Sequence, residues 1–186
     1  LIAASETGYA NLGRLVSLSD SDKQRIQDNI NAAIQRYRRF QLPGGGFSYW
    51  PDGGQPSDWG TSYAGHFLLE ARRAGYAVPS DMLDSWKAYQ KRAAQDLGSH
   101  PWDWSTQAYR LYTLALAGVP EVGAMNRLRE LLLSEASRQR LKPDAPYLSG
   151  RWLLAAAYQQ MGLNDVASEL IPGQVSADYN ASWYYT

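Results

Sequence analysis

The chain has 186 residues, and its 18 basic and 18 acidic side chains cancel to a formal net charge of zero at neutral pH. A neutral chain has no long-range field to draw it to nucleic acid or to an anionic membrane, so both partner classes are disfavoured. The absence of cysteine excludes disulfides, thiolate catalysis, thiolate zinc sites and a cysteine thioester within this sequence. No apolar run approaches the roughly 20 residues that a membrane-spanning helix needs.

The first predicted helix is amphipathic and covers residues 20–41, with Ser21 or Asp22 as its N-cap. Its apolar side chains recur at helical spacing, at Ile26, Ile30, Ala33, Ile34 and Tyr37. The short basic run at residues 36–39 is interpreted as a solvent-exposed helix face rather than a nucleic-acid site.

Residues 43–58 interrupt the helical pattern with five glycines and three prolines. A helix does not continue through three successive glycines, because each costs about 1 kcal/mol relative to alanine. The aromatic run at residues 47–50, followed by an Asp-Gly-Gly sequence, predicts a short β-hairpin or a compact loop. A second aromatic segment, at residues 174–186, weakly echoes this loop.

A repeated tetrapeptide marks the apolar helices: DWGT at residues 58–61 recurs forty-five residues later as DWST at residues 103–106. The predicted apolar helices cover residues 61–74, 106–117 and 148–161. Each is followed by a glycine, at Gly75, Gly118 and Gly162, with spacings of 43 and 44 residues. Glycine directly after a helix predicts a left-handed C-cap, because it has no Cβ to clash at positive φ. A stop signal with this regular period predicts a structural repeat.

Each predicted apolar helix carries a stripe of apolar side chains at helical spacing. The stripes consist of Ala64, Phe67, Leu68 and Ala71 in the first helix, Tyr109, Tyr112 and Leu116 in the second, and Trp152, Leu153, Ala156 and Ala157 in the third. We expect these faces to pack inside the repeat.

More polar, amphipathic helices alternate with the apolar ones and are predicted at residues 80–97, at residues 121–141 and from Asn164 onwards. The alternation predicts two layers, with the apolar helices inside and the amphipathic helices outside. The expected fold class is all-α: an α/α toroid or superhelix of repeated helical hairpins with one short β-hairpin-like loop. Because the period requires a further apolar helix, we expect residues 1–186 to be a single partial domain, truncated at both ends.

The run of residues 41–79 resembles the helical thioester-type domain of the bacterial alpha-2-macroglobulins. The shared elements stand here at Gly45, Gly46, Phe47, Trp50, Trp59, Thr61 and Tyr63, in the FLLEA sequence of residues 67–71 and in the AGYAVP sequence of residues 74–79. Together with the helix-terminating Gly75, Gly118 and Gly162, these positions are the candidate structural motif.

The resemblance implies an α/α toroid within a large periplasmic, cell-envelope or secreted protein that traps proteases after its bait region is cut. The chain would then be a scaffold and interaction domain of an endopeptidase inhibitor and not an enzyme, with no cofactor, metal or catalytic residue of its own. Its partners would be the other domains of the parent protein and, indirectly, the target proteases. The Cys-x-Glu-Gln motif that forms a thioester in some members does not occur in this sequence.

Asp58 and Asp103 carry the main alternative, because they occupy equivalent positions in successive repeats. Paired carboxylates at the mouths of neighbouring inner helices are typical of α/α-toroid glycoside hydrolases and lyases, with separations of about 5–9 Å. The flanking tryptophans could stack on sugar rings: Trp50, Trp59, Trp102 and Trp104. In the competing interpretation each aspartate is the N-cap of its helix, worth about 1 kcal/mol.

His66 and Glu70 lie four residues apart, so the histidine could act as a general base oriented by the carboxylate. The favoured interpretation is a buried histidine hydrogen-bonded inside the stack, because no nucleophile or metal ligand accompanies the pair. His100 is interpreted as a turn residue, and the separation of the two histidines does not match zinc-ligand spacing. A peptide-binding tetratricopeptide-like array is a further alternative, although the period of about 44 residues exceeds the 34 of that repeat.

Overall fold

The computed structural model describes residues 18–97, 101–134 and 145–171, and these residues form seven α-helices without a strand. The helices are α1 (Asp20–Tyr37), α2 (Asp58–Arg73), α3 (Ser80–Ala93), α4 (Pro101–Leu116), α5 (Val122–Leu133), α6 (Ala145–Gln160) and α7 (Asn164–Leu170). The all-helical class predicted from the sequence is confirmed. The predicted aromatic segment at residues 174–186 lies outside the described residues.

The helices pack as two alternating layers. Helices α2, α4 and α6 contact one another in chain order and form the inner row. Helix α1 packs against α2, α3 against both α2 and α4, α5 against both α4 and α6, and α7 against α6. The inner row therefore consists of the three helices predicted to be apolar, and the outer helices bridge them. Closure of this array into a toroid stays a prediction.

The three hairpins share one turn geometry. Gly75, Gly118 and Gly162 have φ angles of 93°, 73° and 76°. In each turn the residue after the glycine donates its N–H to the carbonyl oxygen five residues earlier, at 3.0 Å. This bond satisfies a carbonyl that would otherwise be left free at the helix end. The positive φ explains the glycine at each turn, since any side chain would be strained there.

The hairpin turns lie at one end of the array. Residues 74–79, 117–121 and 161–163 connect packed helices, and such short connections make the connected helices antiparallel. All three turns therefore lie at the same end, which we call the glycine end. The opposite end, where the inner helices begin, carries residues 38–57, and we call it the loop end.

The observed N-caps of α1 and α2 differ from the predicted ones, and α2 begins at Asp58 instead of Thr61. The N-cap of α1 is Ser19, whose Oγ accepts the N–H of Asp22 at 3.1 Å, rather than Ser21 or Asp22 itself. The N-cap of α2 is Ser57, whose Oγ accepts the N–H of Gly60 at 3.1 Å. The interpretation of Asp58 as an N-cap is therefore wrong, because the preceding serine already occupies that position.

The predicted apolar stripe of α2 is buried as expected. Ala64, Phe67, Leu68 and Ala71 join the isoleucines of α1 and the apolar face of α3 in one core cluster. A second core cluster lies among α4, α5, α6 and α7. The two clusters correspond to the first and second halves of the array, and α4 lies at their junction.

On α4 and α6 the buried faces differ from the predicted stripes. The buried apolar residues are Ala108, Leu111, Leu114 and Ala115 on α4, and Tyr147, Leu154, Ala155, Ala157 and Tyr158 on α6. Of the stripes predicted for these two helices, only Ala157 is among them. Tyr109 and Tyr112 are only partly buried, and Trp152 is exposed. A helix that is packed from several sides has no single apolar stripe. Its remaining open strip suits amphipathic rings, whose polar groups can stay solvated.

Candidate functional site at the loop end

The motif loop between α1 and α2 is closed by backbone hydrogen bonds. Gln41 and Phe47 form one antiparallel β-bridge, and the N–H of Leu42 donates to the carbonyl of Gly46 at 2.8 Å. The predicted β-hairpin is therefore reduced to a single bridge within a compact loop. Gln41 also donates from Nε2 to the carbonyl of Met82 at 2.9 Å, which ties the loop to α3.

Gly45 brings the loop backbone into contact with α3. Its φ is 93°, and a Cβ built on it would lie 2.1 Å from the carbonyl oxygen of Ser85. A Cβ on Gly46 would lie 2.8 Å from that of Pro56 and 3.0 Å from the ring of Tyr89. A side chain at either motif glycine would therefore clash with its neighbours, and at Gly45 the positive φ would also strain it.

Thr61 joins the loop to the inner row. The N–H of Phe47 donates to Thr61 Oγ1 at 2.9 Å, and this hydroxyl donates to the carbonyl of Phe47 at 3.2 Å. The carbonyl of Thr61 accepts Nε1 of the fully buried Trp86 at 2.9 Å. One threonine thus connects the loop, α2 and α3, which gives a physical reason for its place in the motif.

Aromatic rings fill the space between α1, the loop and α2. The ring of Tyr37 stacks on Phe67 with centroids 5.2 Å apart and meets the edge of Phe47 at 5.6 Å. Burial in these surroundings raises the pKa of Tyr37 to about 12. Its phenol is therefore neutral over the physiological range and acts as a packing group.

Two tryptophans of the motif remain exposed. Trp50 is 77% exposed, and its neighbour Tyr49 is also exposed. Trp59 is partly covered by Tyr63, whose ring stacks on it at 4.9 Å between centroids with an interplanar angle of 15°. Of the two tryptophans beside Asp103, Trp104 is partly buried, and the side chain of Trp102 lies outside the described residues.

Asp58 forms an ion pair with a buried arginine. Nη2 of Arg110 donates to Asp58 Oδ1 at 2.5 Å, and the arginine side chain is 6% exposed against 63% for the aspartate. Nε of Arg110 donates to Oε1 of Gln90 at 3.0 Å, and Gln90 in turn donates to Ser62 Oγ at 2.9 Å. Gln107 also accepts from Arg110 and donates to a backbone carbonyl of the α3 C-terminus.

This polar network joins α2, α3 and α4 at the boundary between the two core clusters. It borders an open cleft of about 310 Å³ at the loop end, lined by Asp58, Ala93, Asp96, Leu97, Thr106, Gln107 and Arg110. The Asp58 carboxylate is committed to a guanidinium, so its observed role is to neutralise a buried charge. The side chain of Asp103 lies outside the described residues, so the paired-carboxylate hypothesis stays a prediction.

His66 packs within the inner row. Its Nδ1 lies 3.0 Å from the hydroxyl of Tyr109, and the rings of Tyr109 and Tyr112 meet it edge-on. Burial lowers the pKa of His66, and the nearby Glu70 opposes that shift only in part. Glu70 lies 3.9 Å from Arg73 instead of hydrogen-bonding to the histidine. This geometry agrees with the packed-histidine interpretation. His100 lies outside the described residues.

The sequence pattern does not reveal the buried polar residues that organise this end of the array. The available signal was Arg110, a charged residue inside an otherwise apolar helix, with Gln107 one turn before it. A buried charge must be paired, but periodicity cannot say that its partners are Asp58 and Gln90. Among the described residues, no group of three or more histidines, aspartates or glutamates is placed to hold a metal ion. None of the described helices has the length and apolar character needed to cross a bilayer.

The fold and the loop define a class: a domain made of stacked α/α hairpins, with an aromatic loop fixed across the ends of its helices. No protein-family model matches the chain. A curated relative, the alpha-2-macroglobulin of Escherichia coli strain K12, is 30% identical over 141 residues, which make up 69% of this chain and 8% of the relative.

Solved structures agree with this relative. The crystal structure of native Escherichia coli alpha-2-macroglobulin from domain MG7 to the C-terminus matches with a TM-score of 0.72 at 22% identity, covering 91% of this chain and 27% of that chain. The trypsin-activated form of that protein matches with a TM-score of 0.67 at 24% identity, and the match covers 80% of this chain and 10% of that chain. At these identities the two structures support the fold alone. The curated relative shows the family: the chain belongs to the bacterial alpha-2-macroglobulins and corresponds to one segment of such a protein.

Proposed function

We propose that this chain is a non-catalytic scaffold and interaction domain within a larger alpha-2-macroglobulin-type endopeptidase inhibitor. Residues 1–186 are then part of one α/α domain. Its direct partners are the other domains of the parent protein, and it meets target proteases only through them. The parent is assigned to the periplasm, the cell envelope or the extracellular space. The chain spans only 8% of the length of the Escherichia coli relative, so the activity belongs to the parent.

The observation that carries the proposal is the construction of the motif loop. Gly45, Phe47 and Thr61 each serve to fix the loop against α2 and α3, and the residues involved are those that carry the family resemblance. Such a motif supports a mechanical role, because its residues make close packing contacts and backbone hydrogen bonds rather than a site for bond making or breaking.

The polar groups of the described residues support the same role. Asp58 is paired with Arg110, and His66 is hydrogen-bonded to Tyr109 in a partly buried position. A catalytic base needs a nucleophile or a substrate proton within reach, and both groups already have partners within the fold. The sequence contains no cysteine, so any thioester of the parent must come from residues outside it.

The trypsin-activated form of the Escherichia coli relative motivates the test. The full-length parent protein should be incubated with trypsin and followed by mass spectrometry and small-angle X-ray scattering. We expect cleavage in a limited segment outside this chain, followed by compaction of the whole particle. Trypsin treated with an active-site inhibitor is the control and should produce neither change. If active trypsin produces neither cleavage in such a segment nor compaction, the protease-trap assignment is wrong.

A further inference from the structure

The turn at residues 50–53 contains the one Asp-Gly pair of the sequence, Asp52 and Gly53. The carbonyl oxygen of its first residue, Trp50, accepts the N–H of Gly53 at 3.1 Å. Pro51 follows with the restricted φ of proline, and Asp52 has a φ of 59°. Proline at the second position and positive φ at the third are typical of a type II β-turn. Within the described residues, Asp52 is the one non-glycine residue with positive φ.

The packing of the loop requires glycine directly after Asp52. A Cβ on Gly53 would lie 2.9 Å from Cβ of Ser48 and 3.0 Å from the carbonyl oxygen of Trp50, so any larger residue would force the loop to shift. At Asp52 the positive φ is tolerated, because aspartate is among the residues that enter the left-handed region most readily. The Asp-Gly pair is therefore built into this turn.

An Asp-Gly pair can convert to isoaspartate. The backbone nitrogen of the glycine attacks Cγ of the aspartic acid, a succinimide ring closes, and the carboxyl OH leaves with the amide proton as water. Water then adds to the former backbone carbonyl carbon and breaks its bond to the nitrogen, so that the chain continues through Cγ and the α-carboxylate becomes free. The water that was lost is thus returned, and the net change is an isomerisation. Glycine favours the attack because it has no Cβ to shield its nitrogen.

In the folded chain both reacting groups are held by other partners. The N–H of Gly53 is bonded to the carbonyl of Trp50. The carboxylate of Asp52 forms an ion pair with Nη2 of Arg39 at 3.3 Å, and the N–H of Asp52 donates to the carbonyl of Arg39 at 3.0 Å. While the ion pair is formed, the carboxylate is bonded to a guanidinium instead of being free to meet the nitrogen of Gly53.

We propose that Asp52 is a site of isoaspartate formation in this protein, and that Arg39 slows the conversion by holding the carboxylate. The side chains of Asp52 and Arg39 are 77% and 67% exposed, so water reaches the succinimide. Conversion adds one carbon to the backbone of the turn and therefore changes the path of a loop that is fixed against α2 and α3. The inference concerns the chemistry of one residue and does not rest on the proposed function.

The test is slow ageing of the full-length parent protein at neutral pH in water labelled with heavy oxygen. Each succinimide that opens takes up one solvent oxygen, and electron-transfer fragmentation in the mass spectrometer distinguishes isoaspartate from aspartate. A synthetic peptide of residues 47–57 gives the rate of an unrestrained pair. We expect conversion at Asp52 in the protein at a lower rate than in the peptide. Conversion as fast as in the peptide, or none over many half-lives of the peptide, would overturn the proposal.

The variant Arg39→Gln removes the guanidinium and keeps the backbone carbonyl that accepts the N–H of Asp52. We expect the rate at Asp52 to rise about two- to fivefold, which corresponds to the contribution of at most about 1 kcal/mol from an exposed ion pair. Arg39→Lys keeps a cation and should react at close to the wild-type rate. A rate in Arg39→Gln equal to that of the wild type would contradict the proposal. So would a rise in Arg39→Lys as large as in Arg39→Gln, because the charge would then not be the cause.

Two controls separate Arg39 from a general loosening of the chain. Arg38→Gln removes the neighbouring exposed ion pair with Asp81, at 3.2 Å, and should leave the rate at Asp52 unchanged. Asp84 is also exposed and paired with a lysine, at 3.2 Å, and a small residue follows it. It lies inside α3, where backbone N–H groups are bonded along the helix, so we expect no label there. Labelling of Asp84 as fast as that of Asp52, or an equal rise in Arg38→Gln, would refute the assignment of the site to this turn and its arginine.

Discussion

Gly65 on α2 lies directly against the indole of Trp86 on α3. A Cβ on Gly65 would lie 2.0 Å from Cε2, 2.2 Å from Cζ2 and 2.3 Å from Nε1 of Trp86. Carbon atoms in contact are about 3.5–4.0 Å apart, so Gly65→Ala must displace a fully buried indole. That displacement also stretches the bond from Trp86 Nε1 to the carbonyl of Thr61.

The expected loss follows from three contributions. Overpacking in a core costs about 1–3 kcal/mol, and loss of the indole hydrogen bond costs about 1 kcal/mol. Alanine regains about 1 kcal/mol over glycine in a helix interior. We therefore expect Gly65→Ala to lower the free energy of unfolding by about 2 kcal/mol, as measured by urea titration with circular dichroism.

Gly150 in α6 is a matched control, because it is also an inner-row glycine within a helix. A Cβ on Gly150 would lie 3.6 Å from the nearest atom, Cα of Ser105, which is an ordinary contact distance. Gly150→Ala should therefore raise the free energy of unfolding by about 0.5–1 kcal/mol. A Gly65→Ala variant as stable as the wild type would refute the close contact between α2 and Trp86.

Three further predictions concern the loop, the buried ion pair and the histidine. Gly75→Ala should lower the free energy of unfolding by about 1 kcal/mol, because alanine is strained at the positive φ of this position. Gly45→Ala should lower it by more, because its Cβ would also meet a carbonyl of α3. Urea titration measures both losses, and equal losses would contradict the prediction. Arg110→Met should cost about 3 kcal/mol because it leaves buried amide oxygens unpaired. Asp58→Asn should lower the free energy of unfolding by about 1 kcal/mol or less, because Asp58 is 63% exposed and water screens the ion pair. A larger loss for Asp58→Asn than for Arg110→Met in urea titration would refute this prediction. Burial lowers the pKa of His66 in the folded chain, so the unfolded chain binds more protons below the ordinary value of 6.5. Stability should therefore fall as the pH drops through this region, and His66→Gln should flatten that part of the measured profile; an unchanged slope would contradict the assignment.

The parts of the fold that are encoded locally could be predicted from the sequence. Gly75, Gly118 and Gly162 mark the hairpin turns because positive φ is a property of single residues. The buried stripe of α2 follows from its helical spacing, since this helix lies at the edge of the described inner row and has a distinct core face. The loop with its motif glycines was also located correctly, although its hairpin consists of only one bridge.

The parts that depend on contacts between helices could not be predicted. The position of Asp58 at a helix start fits both an N-cap and one of a pair of catalytic carboxylates. Its actual partner, Arg110, is 52 residues away, and no periodic pattern indicates such a pairing. The contact of Gly65 with Trp86 is equally invisible in the sequence, because it depends on the distance between two helix axes. The prediction of the buried faces of α4 and α6 is largely wrong for a related reason, because several neighbouring helices together decide which of their residues are buried.

The central claim is that this chain acts as a rigid block within a protein that rearranges around it. Hydrogen-exchange mass spectrometry of the full-length parent, before and after cleavage by trypsin, tests this claim most directly. We expect the amides of α2 and α4 to keep their protection after cleavage. Rapid exchange throughout α2 and α4 after cleavage would mean that the array itself opens, and would contradict a scaffold role.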